Sequence, residues 1–324
     1  MKISNTLMGI SLAAFLAAGI STAQADWATM NADIGQTNFV VGDLNEPAGH
    51  CSGTLISLKE KLVLTNNHCV TSSIDMVEHD ETGPSGKVES VKREVFKDME
   101  LRQKVYKDFE PTGSSMLQAK IVAHSAKYDL ALLQIKADTI PQTTYSHVLP
   151  KSGAVARGDQ VFVVGNPYML DANLTKGIIS STTRTLHWDE DNSDIPYYGV
   201  DAAVNPGNSG GALYNADGVL IGVPGAGIRG ATGLGFAIPV TLIRKILTEN
   251  CYENVWNEAP GVADHAACEQ KKLDDENAVR AKAGLPPKKG EQKDSLGAGD
   301  VLRKAVTLQI KKPGALGALL QFAQ

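Results

Sequence analysis

Between Asn38 and Ile246 the chain keeps returning to one pattern: a short apolar run, then Gly, Pro, Asn or Asp. Leu62-Val63-Leu64-Thr65, Ala119-Lys120-Ile121-Val122, Leu130 to Ile135, Val161 to Gly165, Val219 to Val223 and Gly235 to Ile238 are examples. Runs this short suit strands, which need only about five or six residues, better than helices of three turns. Many short strands between turn signals predict an all-β barrel or sandwich. Pro239 to Leu247 breaks the pattern. There Val240, Ile243 and Leu247 share one face at helical spacing, which predicts a closing helix.

Two further segments depart from it. Residues 83–117 are strongly charged and contain Val91-Lys92-Arg93-Glu94-Val95-Phe96-Lys97-Asp98-Met99-Glu100-Leu101-Arg102. We read them as a charged insertion, partly an amphipathic helix. It is either a solvated excursion or a regulatory or oligomer contact. From about Cys251 the composition shifts again. Pro286-Pro287-Lys288-Lys289-Gly290 is linker-like, and Ala315 to Phe322 is apolar. The expected organisation is a domain over 26–250 and an irregular C-terminal extension over 251–324.

The first 25 residues read as a secretory signal peptide. Lys2 is a positive n-region, Leu7 to Ile20 an apolar run, and Ala23-Gln24-Ala25 a small-x-small cleavage site. The run is shorter than the roughly 20 residues a membrane span needs, and no later segment is long and apolar enough. The expectation is an exported protein, periplasmic or secreted. With 31 basic and 36 acidic residues the formal charge is −5, and no basic tract suggests nucleic acid. The four cysteines, Cys51, Cys69, Cys251 and Cys268, form two sequence-local pairs, although three connectivities are open. An oxidising compartment and the lack of any Cys-x-x-Cys favour bridges over zinc.

Three segments carry chemistry. A serine hydroxyl is a poor nucleophile unless a base takes its proton. Ser209 lies in Pro206-Gly207-Asn208-Ser209-Gly210-Gly211, where flanking glycines let the backbone turn sharply and approach a substrate. The N–H groups of Gly207 and Ser209, with Asn208 between them, are the candidate oxyanion hole. His68 follows the run ending at Thr65, so it sits at a strand end, where a base is held in place. Its setting in Thr65-Asn66-Asn67-His68-Cys69 singles it out. His79, His124, His147, His187 and His265 lie in polar contexts and read as surface residues, and His50 also lies near Cys51. Asp129 leads straight into Leu130-Ala131-Leu132-Leu133. A charge there is costly unless paired, which favours a partner such as the histidine. The chain order His…Asp…Ser is itself informative, because the same catalytic geometry occurs in other orders on unrelated folds.

Thr65-Asn66-Asn67-His68, Asp129 to Leu133, Gly207 to Leu213 and Gly235 to Pro239 resemble the HtrA/Deg branch of trypsin-like serine proteases. The resemblance covers about Asn38 to Leu247. It implies two six-stranded antiparallel β-barrels with the active site between them, then the closing helix and the irregular tail. It implies His68 as base, Asp129 as its orienter and Ser209 as nucleophile, with no metal or cofactor. Three features depart from the branch. About 75 residues follow Leu247 and do not read as a PDZ domain. The 83–117 segment is longer than the family's connection. Cys51 with Cys69 resembles the histidine-loop disulfide of secreted animal trypsins, which implies that bridge and leaves Cys251 to Cys268.

The residue six before the nucleophile, an aspartate in trypsins, is Ala203, so cleavage after Lys or Arg has no charge partner. The strand Ile221-Gly222-Val223 is expected to pair with the substrate backbone, with Gly225 and Gly227 in the pocket wall. Asn208, where animal trypsins carry an aspartate, offers no charge to a new chain terminus. The leading expectation is an exported serine endopeptidase acting on unfolded or misfolded polypeptides. The alternatives are a chaperone-like peptide binder and a narrow-specificity, for example glutamyl, endopeptidase.

Overall fold

The computed structural model describes residues 35–43, 46–82, 87–107, 110–141, 149–150, 155–170, 172–186, 195–228, 230–282 and 284–288. The first half supplies β1 (Asn38–Asp43), β2 (Glu46–Ser57), β3 (Leu62–Thr65), β4 (Ile74–Thr82), β5 (Val88–Phe96), β6 (Met99–Lys107), β7 (Glu110–Ser125) and β8 (Leu130–Ile135). The second half supplies β9 (Gln160–Gly165), β10 (Asn173–Thr185), β11 (Pro196–Val200), β12 (Ala212–Asn215), β13 (Leu220–Gly227) and β14 (Gly235–Pro239). Six strands close into a first barrel in the order β1-β2-β3-β8-β7-β6, and six into a second in the order β10-β11-β14-β13-β12-β9. Every pairing is antiparallel; β6 returns to β1 with Leu101 opposite Val41, and β10 meets β9 with Thr175 opposite Val163. The all-β, two-barrel expectation therefore holds.

The position of the core explains why the apolar runs are continuous. Successive side chains on a strand point to opposite faces. In β3 and β8, Val63, Ala131 and Leu133 fill the first barrel, while Leu62, Leu64, Leu130 and Leu132 point outward. That outward face meets Phe162 and Val164 of β9, whose alternate residues Val161 and Val163 fill the second barrel. A wall shared between two cores is buried on both faces, so polar alternation disappears. Each such side chain contributes about 1.5–3 kcal/mol of transfer free energy. The strands on either side of the cleft are thus its most firmly packed elements.

The reading of 83–117 needs correction. No helix forms there among the described residues. The segment divides into β5, β6 and the first part of β7. Met99, Leu101 and Gln103, two residues apart, are buried in the first barrel, and this period of two overrides the amphipathic helix. Among the described strands only β4 and β5 stand outside the barrels, as a separate hairpin.

The closing helix is α1 (Val240–Glu249), which buries Val240, Ile243, Ile246 and Leu247. Beyond it, the tail is ordered further than composition suggested. It carries α2 (His265–Lys282), none of whose residues is buried. Several contacts hold α2, among them His265 Nδ1 at 3.3 Å from the Cys251 carbonyl. A disulfide joins Cys251 to Cys268, the His265 ring stacks on Tyr252 at 4.1 Å, and Lys272 Nζ donates to the Glu249 carbonyl at 2.7 Å. The expected signal peptide (1–25) and the apolar end (315–322) lie outside the described residues. Among those described, no helix is long and apolar enough to cross a membrane.

Candidate active site

His68 lies in the turn after β3, and Asp129 immediately before β8. Because Leu62–Thr65 pairs directly with Ala131–Gln134, the two residues meet across adjacent strand ends. His68 Nδ1 lies 2.9 Å from Asp129 Oδ2 and 3.0 Å from Oδ1, and the His68 backbone N–H donates to Oδ1 at 3.0 Å. A carboxylate only accepts, so Nδ1 carries the proton and a neutral ring presents Nε2 as the base. Asp129 sits at φ 48°, in the left-handed region that a non-glycine residue rarely takes. Asn66 holds it there, its Nδ2 donating to the Asp129 carbonyl at 2.8 Å. Asn66 stands two residues before His68, and nothing in the sequence assigns it a role. Only the strand pairing shows that its amide reaches the aspartate.

Ser209 is fully buried. Its carbonyl accepts from the Ser52 backbone N–H on β2 at 2.7 Å and lies 4.0 Å from Cys69 Sγ, in the residue next to His68. Cys51 and Cys69 are bridged, so the β2 backbone that grips the serine loop is covalently tied to the histidine loop. The Cys51, His68 and Cys69 ligand atoms converge within 4.8 Å, but disulfide sulfurs are not thiolates and this cluster is no zinc site.

The glycines have geometric reasons. Gly207 has φ +96°, and a Cβ there would lie 2.5 Å from the Asn166 carbonyl oxygen. Gly210 has φ +79°, and its Cβ would lie 2.1 Å from the Ser52 carbonyl oxygen. The loop can press against the first barrel only where no side chain intervenes. Asn208 stands between the two expected oxyanion donors, Gly207 and Ser209. Its N–H is committed to the Asn205 carbonyl at 3.0 Å. Among the described residues the Gly207 N–H itself has no acceptor.

The cleft wall also differs from expectation. Ile221, Gly222 and Val223 are buried in β13. Gly222 already pairs with Leu213 on one side and Pro239 on the other, and Val223 pairs with Ile238. A strand interior with occupied neighbours cannot add a substrate strand. Beyond a bulge at Gly225, β13 pairs with β14 at Ala226 and Gly227, and among the described residues no strand pairs with its other edge from Gly225 to Gly227. A Cβ at Gly225 would lie 3.4 Å from Asp129 Oδ2, and one at Gly227 3.2 Å from the Val204 carbonyl oxygen, so both residues flank the site. Ala203 is exposed, and its carbonyl accepts from Thr175 Oγ1 at 3.0 Å and Asn208 Nδ2 at 3.4 Å.

Two histidines read as surface residues are engaged. His265 is the ring stacked on Tyr252. His124 on β7 lies 3.0 Å from Asn67 Oδ1 through Nδ1 and 2.9 Å from Glu94 Oε2 through Nε2. It thereby ties the outlying hairpin to the residue preceding His68.

A family model described as "Trypsin-like peptidase domain" matches residues 51–223, more than half of the 324-residue chain. A probable periplasmic serine endoprotease, DegP-like, of Halomonas elongata is 40% identical over 127 residues, covering 38% of this chain and 25% of that protein. One of Pseudomonas fulva, with the same description, is 30% identical over 194 residues, covering 59% and 32%. The matches thus span about a quarter to a third of these relatives' length. Among solved structures, the HtrA-type protease AlgW with a tripeptide superposes with a TM-score of 0.51 at 26% identity, covering 70% of this chain and 64% of that one.

Proposed function

The chain belongs to the trypsin-like peptidase domain family and is of the HtrA-like type, and from that premise we propose that it is an exported serine endopeptidase with Ser209, His68 and Asp129 as its triad. The observation that carries this reading is the pair of contacts from both Asp129 oxygens to His68 Nδ1. That arrangement leaves Nε2 to take the Ser209 proton and lowers the cost of the imidazolium that forms. The serine oxygen then adds to the scissile carbonyl carbon, and the carbonyl pair moves onto oxygen. The Gly207 and Ser209 N–H groups face that oxyanion. When the intermediate collapses, the C–N bond breaks and the leaving amine takes the proton from His68. Water, deprotonated by the same imidazole, hydrolyses the acyl-enzyme.

The substrates we assign are unfolded or misfolded polypeptides in the periplasm. Pairing with the open edge of β13 requires an extended backbone, which folded proteins seldom offer. The DegP-like relatives are described as periplasmic, which supports that compartment. With Ala203 in place of an acid and Gly225 and Gly227 in the pocket wall, the side chain we assign before the scissile bond is a small apolar one. The 26–250 segment is the catalytic unit in this reading, and 251–324 an extension that carries its own Cys251–Cys268 disulfide and meets that unit where Lys272 Nζ donates to the Glu249 carbonyl.

The test is digestion of casein and of a peptide library by wild type, Ser209→Ala and His68→Ala, alongside fluorophosphonate labelling. Turnover and Ser209 labelling in wild type only, with cleavage after small apolar residues, is the expected result. Peptide binding without labelling would favour the chaperone-like reading instead. Cleavage confined to glutamyl bonds would displace the broad-substrate assignment.

A further inference from the structure

The oxyanion loop owes its shape to where its carbonyls go. In a trans peptide the N–H points opposite the C=O, so an acceptor held on one side aims the donor to the other. Four consecutive carbonyls are held. Pro206 O accepts from the Tyr168 N–H at 2.9 Å, Gly207 O from Ser52 Oγ at 2.6 Å, Asn208 O from the Gly211 N–H at 3.0 Å, and Ser209 O from the Ser52 N–H at 2.7 Å. Three of these donors are backbone groups, which side-chain exchange does not remove. The fourth is the Ser52 hydroxyl.

That hydroxyl is fully committed. It accepts from the Asn166 N–H at 2.7 Å and lies 3.2 Å from Asn166 Nδ2. Both are donors, so its single proton goes to Gly207 O. Ser52 therefore acts on the loop twice. It fixes the 207–208 peptide directly, and through the Asn166 N–H it steadies the segment whose Tyr168 N–H fixes the 206–207 peptide. Gly207 sits between those two peptides and has the freedom to rotate both. Ser52 itself is fully buried, so water does not substitute for its hydroxyl.

We propose that Ser52 is a positioning residue for the oxyanion hole: its hydroxyl anchors the peptide after Gly207 and, through Asn166, the segment whose Tyr168 N–H fixes the peptide before it, and so holds the Gly207 N–H in place without touching substrate. The inference rests on the serine-peptidase reading above.

The experiment compares wild type, Ser52→Ala and Ser52→Thr, with constants expressed per active site. Ser52→Ala is expected to lower kcat on a peptide anilide about 10–100-fold, somewhat less than deletion of an oxyanion donor. KM should stay within about twofold, because ground-state binding does not use the hole. Affinity for a peptide aldehyde, whose hemiacetal oxygen enters the hole, should fall in parallel with kcat. Ser52→Thr, which keeps the hydroxyl, should restore both. If Ser52→Ala does not fold, Ser52→Cys takes its place with the same expectations, since a thiol is a weak donor. An unchanged kcat and aldehyde affinity in a folded variant would overturn the proposal. So would equal losses in kcat, substrate binding and aldehyde binding. Wild-type enzyme that neither turns over nor labels would instead overturn the peptidase reading.

Discussion

Replacing Gly210 by alanine tests the packing of the serine loop against the first barrel. The added Cβ would lie 2.1 Å from the Ser52 carbonyl oxygen, 2.2 Å from Thr65 Oγ1 and 3.1 Å from Thr65 Cα, at φ +79°. A left-handed non-glycine residue costs about 1–2 kcal/mol. Forcing a methyl into a closed contact costs about 1–3 kcal/mol more. None of the three neighbours yields easily. Thr65 Oγ1 donates to the Ser52 carbonyl at 2.8 Å, and that strand is buried. The loop must therefore move away, and the Ser52 N–H to Ser209 O bond goes with it. Expected destabilisation is roughly 2–5 kcal/mol, a sizeable part of the ~5–15 kcal/mol that domains possess. For a domain of this size that lowers Tm by about 4–20 °C. Differential scanning calorimetry reads the shift, and anilide hydrolysis per folded molecule reads the displaced serine. The control is Gly113→Ala, where no atom lies within 4 Å. It should change stability by no more than about 0.5 kcal/mol. A Gly210→Ala protein with the control's Tm and wild-type turnover would falsify the contact argument.

Three other outcomes follow from the same geometry. Exchanging Cys51 and Cys69 for alanine, which opens a loop of sequence separation 18, should cost about 3 kcal/mol in urea unfolding; a loss below about 0.5 kcal/mol would show that the bridge constrains nothing. Asn208→Asp puts a buried carboxylate oxygen against the Ala203 carbonyl in place of a donor, so a loss of about 3 kcal/mol is expected, and wild-type Tm at pH 8 would refute it. Burial, with Glu60 and Glu269 nearby, pushes the Tyr252 phenol well above its ordinary value. The neutral phenol is the form the fold accommodates. Its contribution is therefore whole below pH 10 and is lost as pH rises beyond it, by up to about 1.4 kcal/mol per unit. Tyr252→Phe should flatten the wild-type fall in Tm between pH 9 and 11.5, and parallel curves would count against this.

Residue types and their local spacing determined much of this molecule. The turn signals and apolar runs specified strands because a run of four to six residues cannot sustain a helix. A nucleophile among glycines, a histidine at a strand end and an aspartate ahead of Leu130 were legible because each carries its chemistry in its own side chain. What tertiary structure alone decided concerns partners distant in sequence. Asn66 reaches Asp129 because β3 pairs with β8, Ser52 reaches Gly207 where the serine loop presses on the first barrel, and His124 on β7 reaches Glu94 on the separate hairpin. The edge of β13 that lies open begins at Gly225 rather than Ile221, since pairing is set by neighbours and not by the strand's own residues. The charged segment became strands for a related reason. Its own composition fits a solvated helix, but barrel closure needs Met99 and Leu101 inside, and the buried period of two outweighs local propensity.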